Sequence, residues 1–373
     1  MKKLYLLTFL LSSVTIVNAD YRVGYYDSLE GTSAATLKAA AKTVVYEHTR
    51  VDYTDLPNHW INTDVYPEKY KNDKDEECLR WWEMYSDKIY LINPGETGRQ
   101  SYSRNAMQRE HVVPKSWWKS NNDVEYTPAY SDMWNLLPSD GSANNKKSNY
   151  PLGETENASF DNGVTKVGTP KSDLGCVSGK VFEPADEYKG DFARVYFYVA
   201  TVYDQLPWVE SNTNCVYQQN SWPTMTPWAV EMLLEWSRRD PVSEKEINRN
   251  DAVEVEQGNR NPFVDFPELA EYVWGVRQDQ VFHISDQGSL TPTQPGAGVD
   301  DIFMEAEMPA IGLIDGGFSV LASDGCEMLQ VYDIAGRMVL QVAQASYGDT
   351  FMLSPGIYVV TASSMRPVKL IIR

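Results

Sequence analysis

The sequence predicts an α+β protein in two parts. The first is a mainly helical domain with a strand–turn–strand–helix unit inside it. The second is a small all-β domain, a sandwich. Three observations predict this. Before residue 287, apolar residues recur at three- and four-residue steps in several stretches, the mark of helices with a core-facing stripe. Two short, half-apolar runs at 108–113 and 133–137 precede a short helical pattern. Beyond residue 300, short runs broken by Gly, Pro and Asp replace the helical spacing, as in all-β domains.

The chain opens on Met1-Lys2-Lys3, an apolar run from Leu4 to Val17, and Asn18-Ala19. A charged start, a short apolar stretch and a small residue at a break form a secretory signal peptide, residues 1–19. The run is too short for a membrane span, and no other stretch approaches that length. The first domain is expected over 20–287. Leu37, Ala40, Ala41, Val44 and Val45 predict a helix over 32–48. Residues 50–100 are polar and aromatic with little clear period. Phe192, Val195, Tyr196, Val199 and Val202 predict a helix over 187–205. Thr226 as cap and Pro227 at the first position start another, which stops near Asp240-Pro241. A last helix is expected over 266–276. Residues 288–300 are rich in Gly, Pro and Thr and form a linker. The second domain, 301–373, holds five expected strands at 317–322, 328–333, 337–342, 357–362 and 368–373. Repeats, heptads and a phosphate-cradling glycine loop are absent from the sequence.

With 42% hydrophobic and 23% charged residues in 373, the chain has the make-up of a soluble globular protein. Eleven Trp and 23 Tyr supply a large core. A net charge of -19 argues against a generic nucleic-acid binder, which needs a basic surface. The charge is uneven, however. Between residues 104 and 119, Arg104, Arg109, Lys115 and Lys119 face one acid, Glu110, for a local +3. Four cysteines (Cys78, Cys176, Cys215, Cys326) are too scattered for a disulfide scaffold or zinc cluster. Export permits bridges, and three full pairings are open. None sits beside a base, which disfavours a cysteine nucleophile.

Of the four histidines, His48, His59, His111 and His283, only His111 stands among plausible catalytic groups. Around it lie Arg109, Glu110, Asp132, Asn135, Asn144, Lys146, Lys147 and Asn149. Adjacent residues on a strand point to opposite faces, so Glu110 and His111 cannot be side-by-side ligands of one atom. Ser142 is the expected cap of a short helix on which Asn144, Lys147 and Ser148 share a face. One carboxylate, Glu110, and one amide oxygen, Asn144, suit Mg²⁺, which prefers oxygen ligands and keeps several waters; Mn²⁺ and Ca²⁺ are alternatives. A neutral imidazole suits deprotonation of water. Arg109, Lys146 and Lys147 are the cations for developing phosphorane charge.

These residues carry a resemblance. The block from Arg109-Glu110-His111 through Trp117, with 137–141 and 144–154, resembles the bacterial endonuclease I family. Further blocks are Phe182-Glu183-Pro184, Lys189 to Arg194, and Gln257 to Asp265, so the likeness runs over roughly 20–287. The family's members are extracellular or periplasmic nucleases with a ββα-metal (His-Me) finger. They cut DNA, and often RNA, with little sequence preference. The resemblance implies Glu110 as carboxylate ligand, His111 as general base and Asn144 as amide ligand. Asn135 and Asn149 match positions that frame the site. Arg194 is expected to be a buried partner of Asp191 or Glu183. Three positions depart from the family: Trp134 and Phe266 stand where relatives often have His, and Lys147 stands near a usual Arg, which loses a two-pronged phosphate grip. Residues 331–337, 353–359 and 369–373 resemble the sorting domain of type IX secretion in Bacteroidetes. This implies passage across the outer membrane by that machinery.

The expectation is a secreted or cell-surface, monomeric, metal-dependent endonuclease. The alternatives are a surface binding or adhesion protein without catalysis, and a metallo-hydrolase of another substrate. A His-Glu-x-x-His zinc-protease motif is absent, so a zinc protease lacks its ligands.

Overall fold

The computed structural model describes residues 21–287, apart from 23, 119–123, 172–178 and 209–214. It also describes residues 311–372, apart from 315–316, 321–325, 334–336, 347, 355 and 363–364. The expected signal peptide and linker lie outside the described residues. The chain divides into two compact units, Met1–Pro295 and Gly296–Arg373.

The first unit is built on one buried helix. In chain order its helices are α1 (Ala34–Val45), α2 (Leu56–Thr63), α3 (Gly98–Arg104), α4 (Gly141–Lys147), α5 (Lys189–Val202), α6 (Pro227–Arg239), α7 (Glu244–Gln257), α8 (Pro262–Asp265) and α9 (Leu269–Val273). Every residue of α5 is buried. An apolar stripe alone would bury only one face; α5 is sheathed on all sides, so its polar residues need partners. Arg194 finds Glu246 on α7, with Nη2 2.7 Å from Oε2, and donates to the Asp240 carbonyl at 3.0 Å. Its partner is therefore Glu246, not the expected Asp191 or Glu183. Asp191 instead pairs with Lys245 at 2.9 Å.

Strands β1 (Tyr70–Lys71), β2 (Glu77–Arg80) and β3 (Leu91–Ile92) form one small antiparallel sheet. Strands β6 (Thr155–Asp161), β7 (Lys166–Pro170) and β8 (Val181–Glu183) form another. Between them β4 (Gln108–His111) pairs antiparallel with β5 (Leu136–Ser139), setting Glu110 opposite Leu137 and His111 opposite Leu136. Helix α4 follows β5 directly.

Several boundaries differ from the sequence expectation, for local reasons. Residues 133–135 are not strand. The Asp132 carboxylate captures the Trp134 N–H at 2.8 Å, and the Asp132 carbonyl accepts from Asn135 N at 3.0 Å, so the backbone turns there. The second strand starts later and runs further than the 133–137 expected: Pro138 and Ser139 belong to β5. Asp140 then caps α4, accepting the Ala143 N–H at 2.7 Å, while Ser142 is an exposed helical residue. Of the helix expected over 266–276 only Leu269–Val273 is helical, as α9; α8 lies before that span and ends at Asp265, where Pro267 disfavours continuation. The pattern missed α7 altogether.

In the second unit all five expected strands are present with shifted ends. They are β10 (Gly317–Val320), β11 (Cys326–Asp333), β12 (Met338–Ala345), β14 (Gly356–Ala362) and β15 (Met365–Ile372). Two more, β9 (Ile311–Ile314) and β13 (Thr350–Met352), complete two antiparallel sheets of order β13-β10-β9 and β12-β11-β14-β15. Phe318 and Val320 of one sheet share an apolar cluster with Leu329, Val331, Ala345 and Val360 of the other, which is sandwich packing. Among the described residues no helix is long and apolar enough to cross a membrane.

Candidate active site

The end of β4 is held on both sides. Beyond it, Asn135 closes three hydrogen bonds on Val112 and Val113. Its Oδ1 accepts the Val113 N–H (2.8 Å), its Nδ2 donates to the Val113 carbonyl (3.1 Å), and its own carbonyl accepts the Val112 N–H (2.9 Å). The turn that carries Asn135 is held in turn by α7. Gln257 accepts from Met133 N (2.9 Å) and donates to Asp132 Oδ1 (2.8 Å). Arg249 donates to the Met133 carbonyl (2.8 Å). Asp132 also accepts from the hydroxyls of Tyr198 (2.9 Å) and Tyr203 (2.6 Å). Asp132 and Asn135 are thus buried supports outside the cleft lining.

A cleft of about 400 Å³ opens over this frame, lined by Tyr53, Arg109, Glu110, His111, Pro114, Lys115, Ser116, Asn144, Ser148 and Asn149. It brings together Glu110, His111, Asn144, Arg109 and Asn149 from the expected set. His111 Nε2 lies 2.9 Å from the Tyr130 carbonyl. A carbonyl can only accept, so Nε2 carries the proton and Nδ1 the lone pair. Burial lowers the imidazole pKa to about 3, so the ring is neutral at ordinary pH. Negative charge arriving beside it would favour its protonated form.

Glu110 is buried, and burial raises its carboxyl pKa against the opposing pull of Lys147. The Lys147 ammonium, 0% exposed, sits 2.6 Å from Glu110 Oε1 and 3.4 Å from the His111 carbonyl. Lys147 therefore faces Glu110 and not the cleft. Lys146 is exposed and does not line the cleft; Arg194 is buried in the core. Arg109 is held by rings, its guanidinium carbon 5.0 Å from the Tyr53 centroid and 5.2 Å from that of Tyr102. Asn149 Nδ2 reaches Ser116 Oγ at 3.4 Å.

His48, His59 and His283 do not line the cleft. His59 pairs with Glu256 (2.6 Å) and His283 with Glu30 (2.5 Å), and His48 Nδ1 lies 2.8 Å from the Tyr46 carbonyl. Trp134 is buried with the Arg249 guanidinium 5.2 Å from its ring, and Phe266 packs on Tyr21, Tyr26 and Phe282. Neither departure from the family pattern touches the cleft. Cys215 is disulfide-bonded and Cys78 is a free, buried thiol, which excludes any pairing that uses Cys78.

The described residues hold no group of three or more His, Cys, Asp or Glu side chains poised for a metal. The cleft offers a sparser set, one carboxylate and one carboxamide. Lys147 takes one Glu110 oxygen, Oε1, at 2.6 Å, and Glu110 lines the cleft. That set fits a hard divalent ion that keeps most of its waters, and does not fit a zinc centre.

Sequence reasoning missed Tyr53, gave Ser116 no role and Lys115 none beyond local charge, and placed Ser148 only on the helix face of Asn144. Lys115 and Ser116 directly follow the motif, and proximity could have flagged them. For Tyr53 there was no signal, because its contact with the site is tertiary.

Fold and cleft define an α+β protein with a place for an anionic group beside a neutral, oriented imidazole. The chain belongs to the endonuclease I family, whose pattern it matches over residues 33–268. It is 32% identical over 270 residues to the extracellular ribonuclease of Bacillus amyloliquefaciens, covering 70% of this chain and 82% of the relative. It is 26% identical over 201 residues to an endonuclease-1 of Buchnera aphidicola subsp. Baizongia pistaciae, covering 50% and 73%. It is 23% identical over 184 residues to the extracellular deoxyribonuclease of Aeromonas hydrophila, covering 46% and 70%.

Proposed function

We propose that this chain is a secreted, metal-dependent endonuclease that hydrolyses phosphodiester bonds of DNA and RNA with little sequence preference. One observation carries the reading: a neutral imidazole with its Nδ1 lone pair free lies in one cleft with Glu110 and Asn144. In it β4, β5 and α4 serve as a ββα-metal finger. Glu110 and Asn144 hold Mg²⁺ or a similar divalent cation. That cation, when bound, supplies Lewis-acid stabilisation of the charge that develops on phosphate. His111 Nδ1 takes the proton of the attacking water, and the Tyr130 carbonyl keeps the ring in the tautomer that can do so. Arg109 and Lys115 attract the phosphate backbone locally on an otherwise acidic chain. Lys147 acts through Glu110, as a positioning residue. Extracellular relatives of both ribonuclease and deoxyribonuclease name support a substrate range covering both nucleic acids.

The C-terminal β unit is proposed to serve export, as a type IX sorting domain, after an N-terminal signal peptide directs the chain out of the cytoplasm. The test of the main reading is cleavage of plasmid DNA and of a long RNA by purified protein, with Mg²⁺ and with chelator. Cutting of either substrate that stops with chelator supports it. A folded protein inert on both with Mg²⁺, Mn²⁺ and Ca²⁺ refutes it.

A further inference from the structure

Tyr53 lies on the segment before α2, 58 positions upstream of His111. Its ring nonetheless touches three parts of the site. It stacks on the His111 imidazole, with centroids 5.9 Å apart and planes 15° apart. It packs on the Tyr130 ring at 4.6 Å. The Arg109 guanidinium carbon lies 5.0 Å from its centroid, and Arg109 Nη2 donates to the carbonyl of the next residue, Thr54, at 3.2 Å.

We propose that Tyr53 is a positioning residue that fixes the plane of the His111 imidazole and the place of the Arg109 charge in the cleft. A single hydrogen bond from Nε2 to the Tyr130 carbonyl fixes one atom of the imidazole. It leaves the ring free to swing about that contact, which would carry Nδ1 away from a substrate. A parallel ring on one side removes that freedom, and the Trp118 edge, 6.0 Å away at 66°, limits it on another. For Arg109 the ring does something a carboxylate could not. It holds the guanidinium by cation–π attraction without neutralising it, and among the described residues Arg109 makes no ion pair. Arg109 is half-buried and lines the cleft, so the charge remains available to an anion.

The kinetic arm of the test rests on the nuclease reading; the spectroscopic arm does not. Full-length protein labelled with ¹⁵N-histidine has four histidine signals to resolve, and His111→Ala assigns the relevant one. In wild type and Tyr53→Phe, the His111 signal should report one neutral tautomer with Nε2 protonated. In Tyr53→Leu it should shift or broaden into a mixture. With DNA as substrate, Tyr53→Leu should lower kcat by roughly tenfold to a hundredfold, the scale of a small misplacement of a reacting group. Its metal-titration midpoint should stay at the wild-type value, and Tyr53→Phe should keep kcat within about threefold of wild type. Should Tyr53→Leu fail to fold, Tyr53→Met replaces it. An unchanged tautomer signal with kcat within about twofold of wild type overturns the proposal. So does Tyr53→Phe falling as far as Tyr53→Leu, because the hydroxyl rather than the ring would then be responsible. If wild type cuts neither nucleic acid, the nuclease reading fails and the tautomer signal still decides the role of Tyr53.

Discussion

Lys147 carries its charge to a place that water does not reach, and Glu110 meets it there at 2.6 Å. Removing one partner of a buried ion pair strands the other, at about 3–5 kcal/mol. Lys147→Met should therefore destabilise the first unit by that order in denaturant unfolding, and adding Glu110→Gln should recover part of the loss. If Lys147→Met is neutral, the pair is not the support described. The neighbouring roles separate kinetically. His111→Ala should lower the cleavage rate by roughly a hundredfold or more with metal binding retained. Glu110→Ala and Asn144→Ala should instead raise the metal concentration needed for half-maximal rate. Equal loss of metal affinity in all three would reject the assignment. Residue type made these groups legible in the sequence, since only His111 stood among carboxylate, amides and cations. It did not reveal that Lys147 turns inward, because burial depends on what packs over α4.

At the scale of elements, α4 is seated through its first turn. Its cap Asp140 also accepts from Lys88 Nζ at 2.6 Å, and the Asp140 N–H donates to Glu83 Oε2 at 3.2 Å. Burial pushes the Glu83 carboxyl up to about 7, above the 4.5 it starts from. The folded state thus holds this proton more tightly than the unfolded chain does. The associated stability is present below about pH 4.5 and is lost as pH rises through about 7, a few kcal/mol at most. Unfolding measured from pH 5 to 8 should show wild type losing stability relative to Glu83→Gln. Parallel curves would mean that Glu83 is charged throughout. Legibility at this scale followed local signals. Thr226-Pro227 announced α6 correctly. Ser243 and Glu246 form a capping box, with Ser243 N 3.0 Å from Glu246 Oε2, and that Ser-x-x-Glu signal could have found α7. The helix hides because its buried face carries Lys245, Glu246, Arg249 and Asn250, so apolar periodicity is weak where ion pairs replace it. At 133–135 the Asp132 side chain overrode a strand-like sequence.

For the whole molecule, the first unit contains every residue of the cleft, and the second has a separate apolar cluster. A chain ending near Gln287 should therefore cut nucleic acid at a rate close to that of the full protein. A folded but inert product would mean that the second unit takes part in catalysis. In the source organism, deleting 301–373 should leave active enzyme inside the outer membrane, whereas normal appearance in the medium would contradict the sorting role. The division into a helical part and a β part was readable because the two use different hydrophobic periods. The placement of Tyr53 against His111 was not, because nothing in a run of 58 positions records which ends meet.

The order of the cleft and its supports along the chain has a consequence for timing. The lining residues lie between 53 and 149, while the hold on the 132–135 turn comes from Tyr198 and Tyr203 and, last in the chain, from Arg249 and Gln257. A ribosome finishes the reactive groups roughly a hundred residues before the helix that fastens them, several seconds at ordinary rates of synthesis. During that interval a growing chain carries the lining residues without the Arg249 and Gln257 contacts to the 132–135 turn. Ribosome-bound chains stalled at residue 240 should be inert toward RNA, and chains stalled some 40 residues beyond 287 should be active. Activity at the earlier stall would show that the site assembles without α7.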